Sequence, residues 1–229
     1  MPLQLYAHPL SSSCHKVLTA LYEAATPFEQ VMVNFGDPES VAAFRALWPL
    51  GKMPVLHDTD RGEVVPETSI IIAYLDTHHP GPAPLIPADP SVRQEAMLWD
   101  RLFDFYVHDP MQRLVANHMR PEVDRDPIGQ AAYEALIVKL YDLTEAHMAG
   151  RTWAAGDSFS IADCAAAPAL FYAGIVVPFG DRPALTAYFE RLLDRPSYRR
   201  ALVDAQPWFD YYPFRDRMPK KFLTLTLTL

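Results

Sequence analysis

The sequence predicts a two-part fold: a small α/β unit over residues 1–79, a Pro-rich linker over 80–90 and an all-α helical unit over 91–212. Three observations carry this expectation. In the first part, short strand-like runs alternate with apolar runs at helical spacing, the pattern of a sheet with crossover helices. Five prolines then fall within the eleven residues from Pro80 to Pro90. Each fixes φ and removes an N–H donor, so no regular element spans them. Beyond the linker every apolar period is helical.

Taken in order, Leu3 to Tyr6 reads as a strand. Ser13 to Ala25 places Val17, Leu18, Leu21 and Tyr22 on one helical stripe. Glu29 to Val33 is a second strand and Val41 to Leu47 a short helix. Pro54 to Leu56 and Val64-Val65 are two more strands, joined by a turn over Asp58-Thr59-Asp60-Arg61-Gly62. Thr68 to Thr77 is helical through Ile71, Ile72, Tyr74 and Leu75. After the linker, Ser91 is expected to cap a long helix carrying Trp99, Leu102, Phe103, Tyr106 and Pro110 on one face. Pro127 to Met148 is a helix stopped by Gly150. Ser160-Ile161-Ala162-Asp163 is an S-x-x-D start signal, and Pro183 and Pro196 open two further helices. Pro110 and Pro168 predict kinks. Residues 213–229, ending in a Leu/Thr alternation without a partner strand, are expected to be a flexible tail.

Composition narrows the function. The chain has 229 residues, 22 of them Pro and only 9 Gly, and contains neither GxGxxG nor GxxxxGK[ST], which excludes the usual phosphate-cradling loops. A net charge of −8 argues against nucleic acid or an anionic membrane as partner. Cys14 and Cys164 are the only cysteines, with no CxxC pair and no metal-ligand spacing, so neither a disulfide framework nor a metal is expected. Cys164 reads as an inert buried thiol. The opening MPLQLYAHPL lacks the basic head and apolar run of a secretory signal, and a cytoplasmic location is expected.

Two segments carry a family likeness: Gly51-Lys52-Met53-Pro54-Val55-Leu56 and Glu67-Thr68-Ser69-Ile70-Ile71-Ile72-Ala73-Tyr74-Leu75. Together they resemble the cytosolic glutathione transferase family, with Thr68 where that family has Ser. The linker, the helical second half and Ser160-Ile161-Ala162-Asp163 match in order, so the resemblance spans residues 1 to about 210. It implies a thioredoxin-like first domain with a cis bond before Pro54, glutathione as co-substrate and a homodimer. It also implies glutathione-binding roles. The N-terminus of the helix at Thr68 would take the γ-glutamyl carboxylate, because unpaired N–H groups and the positive dipole end lie there. Glu67 would pair with the amino group, the Met53 backbone would mimic a strand for the cysteinyl unit beside Pro54, and Lys52 would neutralise the glycyl carboxylate.

Such chemistry needs the thiol as thiolate. Lowering its pKa from about 8.5 to about 6.5 takes roughly 2.7 kcal/mol, which one donated hydroxyl and one helix end together supply. Aligned on Val17, Ser11 falls at the catalytic serine of the theta and zeta patterns. Ser13, Ser12 and Cys14 are the alternates, with Ser12 or Ser13 expected to cap the helix. Cys14 in that role would form a mixed disulfide and point to thiol transfer. The second-substrate wall is assigned to Phe103, Tyr106, Val107, Met111 and Leu114, with residues around Phe171 and Tyr172. For His108, Asp109 and His118 two readings stand, polar groups of the pocket or satisfied surface residues, and the second is the expectation. The expected function is conjugation of glutathione to a small, mostly apolar electrophile. The alternatives are a glutathione-dependent disulfide reductase, peroxidase or isomerase, and a non-catalytic member that binds glutathione or a protein.

Overall fold

A computed structural model describes residues 2–227. Strand β1 (Leu3–Ala7) lies parallel to β2 (Glu29–Met32) and antiparallel to β3 (Val55–Asp58), which pairs with β4 (Glu63–Pro66); the sheet order is β2-β1-β3-β4. The first half adds α1 (Ser12–Glu23), α2 (Pro38–Leu47) and α3 (Thr68–His78). Alternation sets the core face: Leu3, Leu5 and Ala7 of β1 are all buried, and Leu5 sits opposite Leu56 of β3. Helix α1 is buried from Cys14 through Leu21, because it packs on α3 on one side and on the helical half on the other.

The second half contains α4 (Pro90–Phe103), α5 (Asp109–His118), α6 (Pro127–Met148), α7 (Ile161–Val176), α8 (Pro183–Asp194) and α9 (Pro196–Ala205). Helix α7 is its axis, packing against α1, α4, α5 and α8. Its start is fixed by a capping box: the Ser160 Oγ accepts from Ala162 N at 3.3 Å, and the Asp163 carboxylate accepts from Ser160 N at 2.9 Å. The same buried carboxylate takes the Tyr188 hydroxyl at 2.6 Å and Ala154 N at 3.0 Å, so one acid orders two helices and a loop. The linker is pinned as well. Asp76 accepts from Leu85 N and Ile86 N, and the Leu85 carbonyl accepts from Ile161 N. Among the described residues no helix is long and apolar enough to cross a membrane.

Three expectations are corrected. Asp89, not Ser91, caps α4, accepting from Ser91 N and Val92 N at 2.9 and 3.0 Å, so Pro90 belongs to the helix and not to the linker. The long helix through Pro110 is broken into α4, a π-turn over Asp104–His108, and α5. Pro110 has no N–H for the Tyr106 carbonyl, and the chain relieves this by a wider turn in which Asp109 N donates to the Asp104 carbonyl five residues back. At Pro168, by contrast, α7 continues without interruption. The third correction is the tail. Phe214, Met218 and Phe222, four residues apart, are buried against the helical half, and Gln206 Nε2 donates to the carbonyls of Phe222 and Leu225. Residues 228 and 229 of that segment lie outside the described residues.

Phe222 is 4% exposed, with its ring 4.8 Å from that of Phe171. Phe222→Ala should therefore lower the unfolding free energy by about 3–5 kcal/mol, read from urea denaturation. A loss below about 1 kcal/mol would show that the C-terminal segment adds nothing to the core.

Candidate active site

A cleft of about 930 Å³ opens between the two halves, where the N-termini of α1 and α3 face α4, the π-turn and α5. Lys52, Met53, Pro54, Glu67 and Thr68 all line it. Gly51 enters the turn before them at φ +61°, which glycine adopts without steric cost, and the Met53–Pro54 bond is cis. Glu67 takes φ +68°, a region that costs a side chain with a Cβ about 1–3 kcal/mol and recurs at functional sites. It stands at the N-cap of α3 without giving the helix a side-chain cap, which leaves first-turn N–H groups open to the cleft.

Ser11, Ser12 and Ser13 line the same cleft, and their duties differ. Ser11 is the N-cap of α1, its Oγ accepting from Cys14 N at 3.4 Å. This corrects the expectation that Ser12 or Ser13 caps the helix. Ser12 instead has its Oγ 2.8 Å from His108 Nε2 and accepts from Gln112 Nε2 at 3.2 Å, and Ser13 Oγ lies 3.5 Å from the same His nitrogen. Cys14 does not line the cleft. It is fully buried, and burial pushes its thiol up to about 11. The loop leading to Ser11 is held from below: His15 Nε2 donates to the Pro9 carbonyl at 2.6 Å, and the Tyr172 hydroxyl donates to that of Leu10 at 3.0 Å.

The cleft is also lined by a charge cluster absent from the sequence reading. Lys16 Nζ, on a side chain only 3% exposed, is 2.6 Å from Asp100 Oδ1, 2.8 Å from Asp104 Oδ2 and 2.9 Å from Ser69 Oγ. Arg101 closes the cluster from the solvent side, bonding Asp100 and Asp104 at 2.7 Å each and also Ser69. The sequence did hold a trace of it: a lysine within an apolar stripe of one helix, and two aspartates four apart on another.

The predicted second-substrate wall is overturned. Phe103, Val107, Met111 and Leu114 are at most 3% exposed and form a core stripe at helical spacing; Phe171 and Tyr172 are buried too. Tyr106 is exposed but does not line the cleft. The residues that do face it from this side are Asp104, Phe105, His108, Asp109 and Gln112. From α7 come Ile161, Ala165 and Pro168, one face of that helix. His108 and Asp109 are thus cleft residues and not merely surface ones. Burial lowers the His108 pKa, which keeps its imidazole neutral at neutral pH. His118, in contrast, stacks on Phe214 at 4.3 Å, outside the cleft.

Comparison with known proteins follows this division of the chain. Residues 5–83 match the family model described as glutathione S-transferase, N-terminal domain, and residues 104–196 match the glutathione S-transferase, C-terminal domain. The chain is 32% identical to FtsZ-localized protein A of Caulobacter vibrioides, covering 89% of this chain and 92% of that one. It is 30% identical to glutathione S-transferase 3 of Zea mays, covering 88% and 94%. A crystal structure of a glutathione S-transferase from Methylobacillus flagellatus with glutathione bound superposes with a TM-score of 0.78 at 28% identity, covering 87% and 98%.

Lys16→Met should cost about 3–5 kcal/mol in urea unfolding, since Asp100 and Asp104 would be left without their buried cation; adding Asp100→Asn should recover part of that loss. Acid should act through His15. Its imidazole takes a proton near 6.5 in the unfolded chain, whereas burial pushes the native value down to about 4. Between those values the unfolded state holds the extra proton, so stability is full above about pH 6.5 and falls as pH drops towards 4, by up to about 1.4 kcal/mol per pH unit. In His15→Gln, unfolding measured across this range should show a flatter slope.

Proposed function

This chain belongs to the glutathione S-transferase family, and from that premise we propose that it joins the thiolate of glutathione to a small electrophile, with Ser11 donating a hydrogen bond to the sulfur. The observation that carries this reading is the convergence in one cleft of Ser11, the uncapped start of α3 and the Lys52–Pro54 segment. The first-turn N–H groups of α3 and the Thr68 hydroxyl suit the γ-glutamyl carboxylate, and Glu67 suits the amino group. The Met53 backbone pairs with the cysteinyl unit, and Lys52, exposed at the rim, faces the glycyl carboxylate.

Among the hydroxyls, Ser11 is favoured by its bonding. Its oxygen accepts the Cys14 N–H, which polarises the O–H and leaves that hydrogen for the sulfur. Ser12 and Ser13 face His108. The thiol-transfer alternative through Cys14 is disfavoured, because a thiol with a pKa of about 11 is thiolate in only about one molecule in 10⁴ at neutral pH. The wall of the second half combines Phe105, Ile161, Ala165 and Pro168, which suits an electrophile with an apolar body. Ile70, Met97 and Phe105 line the cleft and are each more than half exposed, an apolar patch suited to a homodimer contact in the cytoplasm.

Ser11→Ala should lower kcat/KM about 10²-fold towards a chlorinated aromatic acceptor while the glutathione Kd from calorimetry stays within a few-fold. Retained conjugation would remove Ser11 from the mechanism. Loss of turnover in Cys14→Ala with retention in Ser11→Ala would move the chemistry to thiol transfer.

A further inference from the structure

The loop that delivers Ser11 runs from His8 to Ser11 between β1 and α1, and its backbone is tied down bond by bond. Ser11 N donates to the His8 carbonyl at 3.0 Å, and the Pro9 carbonyl accepts from His15. Leu10 is held on both sides: its N–H donates to His8 Nδ1 at 3.1 Å, and its carbonyl accepts from the Tyr172 hydroxyl at 3.0 Å. A backbone N–H can only donate, so His8 Nδ1 carries no hydrogen and the tautomer of that ring is fixed. Both groups that bond Leu10 are backed in turn by the segment after α9. The Trp208 ring meets the His8 ring edge to face at 4.8 Å, and the Tyr212 ring meets that of Tyr172 at 5.2 Å. We propose that Trp208, through His8, and Tyr212, through Tyr172, form a clamp that positions Ser11 for the sulfur of glutathione. The clamp rests on the Ser11 reading above and deepens it.

Helix α1 by itself holds Ser11 loosely. The cap bond from Cys14 N to Ser11 Oγ is 3.4 Å long, at the far end of the hydrogen-bond range. Connecting loops move more than the elements they join, and a catalytic group misplaced by about 1 Å can cost about 10²-fold in rate. The other side of Ser11 therefore has to be fixed, and Leu10 fixes it. The segment after α9 is firm enough to serve as the backing. Phe209, beside Trp208, is 1% exposed with its ring 6.0 Å from that of Phe171, and Tyr212 is itself buried. Without the Trp208 ring, His8 is free to turn away from the Leu10 N–H; without the Tyr212 ring, Tyr172 is free to leave the Leu10 carbonyl. Ser11 shifts with the peptide that joins it to Leu10. His8, Leu10, Trp208 and Tyr212 do not line the cleft, so they are positioning residues that act only through Ser11. Their effect falls on the thiol and not on affinity, because the groups proposed to bind the rest of glutathione belong to the Lys52–Pro54 and Glu67–Thr68 segments.

The test reads the pKa of the glutathione thiol bound to the full chain, from the ultraviolet absorbance of the thiolate across a pH titration. In Ser11→Ala this pKa should rise by about one to two units, the worth of one hydroxyl donated to a charged acceptor. Trp208→Leu, Tyr212→Leu and His8→Leu should each raise it by about half a unit to one unit and lower kcat, with the glutathione Kd from calorimetry within about two-fold of the wild type. The unchanged Kd also checks that each variant is folded. Trp208→Phe keeps an aromatic face on His8, and His8→Asn offers Oδ1 to the Leu10 N–H two residues on; each should return most of the shift. A purely structural role would lower the unfolding midpoint and leave the thiol pKa where it is. A thiol pKa unchanged in either Trp208→Leu or Tyr212→Leu, alongside a rise in Ser11→Ala, overturns the clamp and leaves Ser11 donation standing. No rise in Ser11→Ala overturns the Ser11 reading and the clamp with it.

Discussion

The Lys16 ammonium is the constraint on which the arrangement of the two halves depends. It comes from α1, and its partners come from both halves: Ser69 from α3, Asp100 from α4 and Asp104 from the π-turn. Taking these charges out of water costs several kcal/mol each, and only close, saturated geometry offsets that cost. The geometry is met only when α1, α3 and α4 sit in one relation to each other. Apolar packing between α1 and α7 or α9 can slide by small amounts; an ammonium with three oxygens within 2.9 Å cannot. The cluster lines the cleft itself, so it fixes the distance between the walls that the two halves contribute.

The π-turn over Asp104–His108 then decides which residues the helical half presents to the cleft. One added residue rotates everything after it by about 100° around the helix axis. Phe103, Val107, Met111 and Leu114 turn to the core, and Asp104, His108 and Gln112, spaced by four, turn to the cleft. Pro110 is the local cause, since the missing N–H makes a regular helix there unfavourable. A proline outside the site thereby gives the cleft a polar floor under an apolar wall.

Around Ser11 the chemistry is arranged through neutral groups. His15 and His108 are both held uncharged by burial, and Cys14 is held as a thiol. Ser11 to Ser13 and the N-termini of α1 and α3 add hydroxyls and helix ends to the cleft, whose partial charges stabilise an anion without titrating. Glu67 contributes backbone strain there, tolerated because leaving α3 uncapped keeps its first N–H groups available.

How much of this was legible beforehand varies with the range of the interaction. Local chemistry was readable: proline and serine start signals placed most helices, the cis bond at Pro54 followed from the family likeness, and Lys52, Met53, Pro54, Glu67 and Thr68 converge on one cleft because they sit in contiguous motifs. The apolar period of Phe103 to Leu114 was read correctly as a stripe and wrongly as a wall, since periodicity says that a face is apolar and not what it faces. The segment after residue 212 was misjudged for a related reason. Its Leu/Thr ending masked Phe214, Met218 and Phe222, whose partners lie far away in the chain. The sequence by itself determined the two-part architecture, the linker and the two motifs that line the cleft from the first half, because those rest on backbone preferences and short spacings. Tertiary structure alone decided that Lys16 would be buried against Asp100 and Asp104, that His108 would meet Ser12 from 96 positions away, and that Cys14 would be fully buried outside the cleft lining. Those outcomes depend on burial and on long-range contact, and neither is a property of any short stretch of chain.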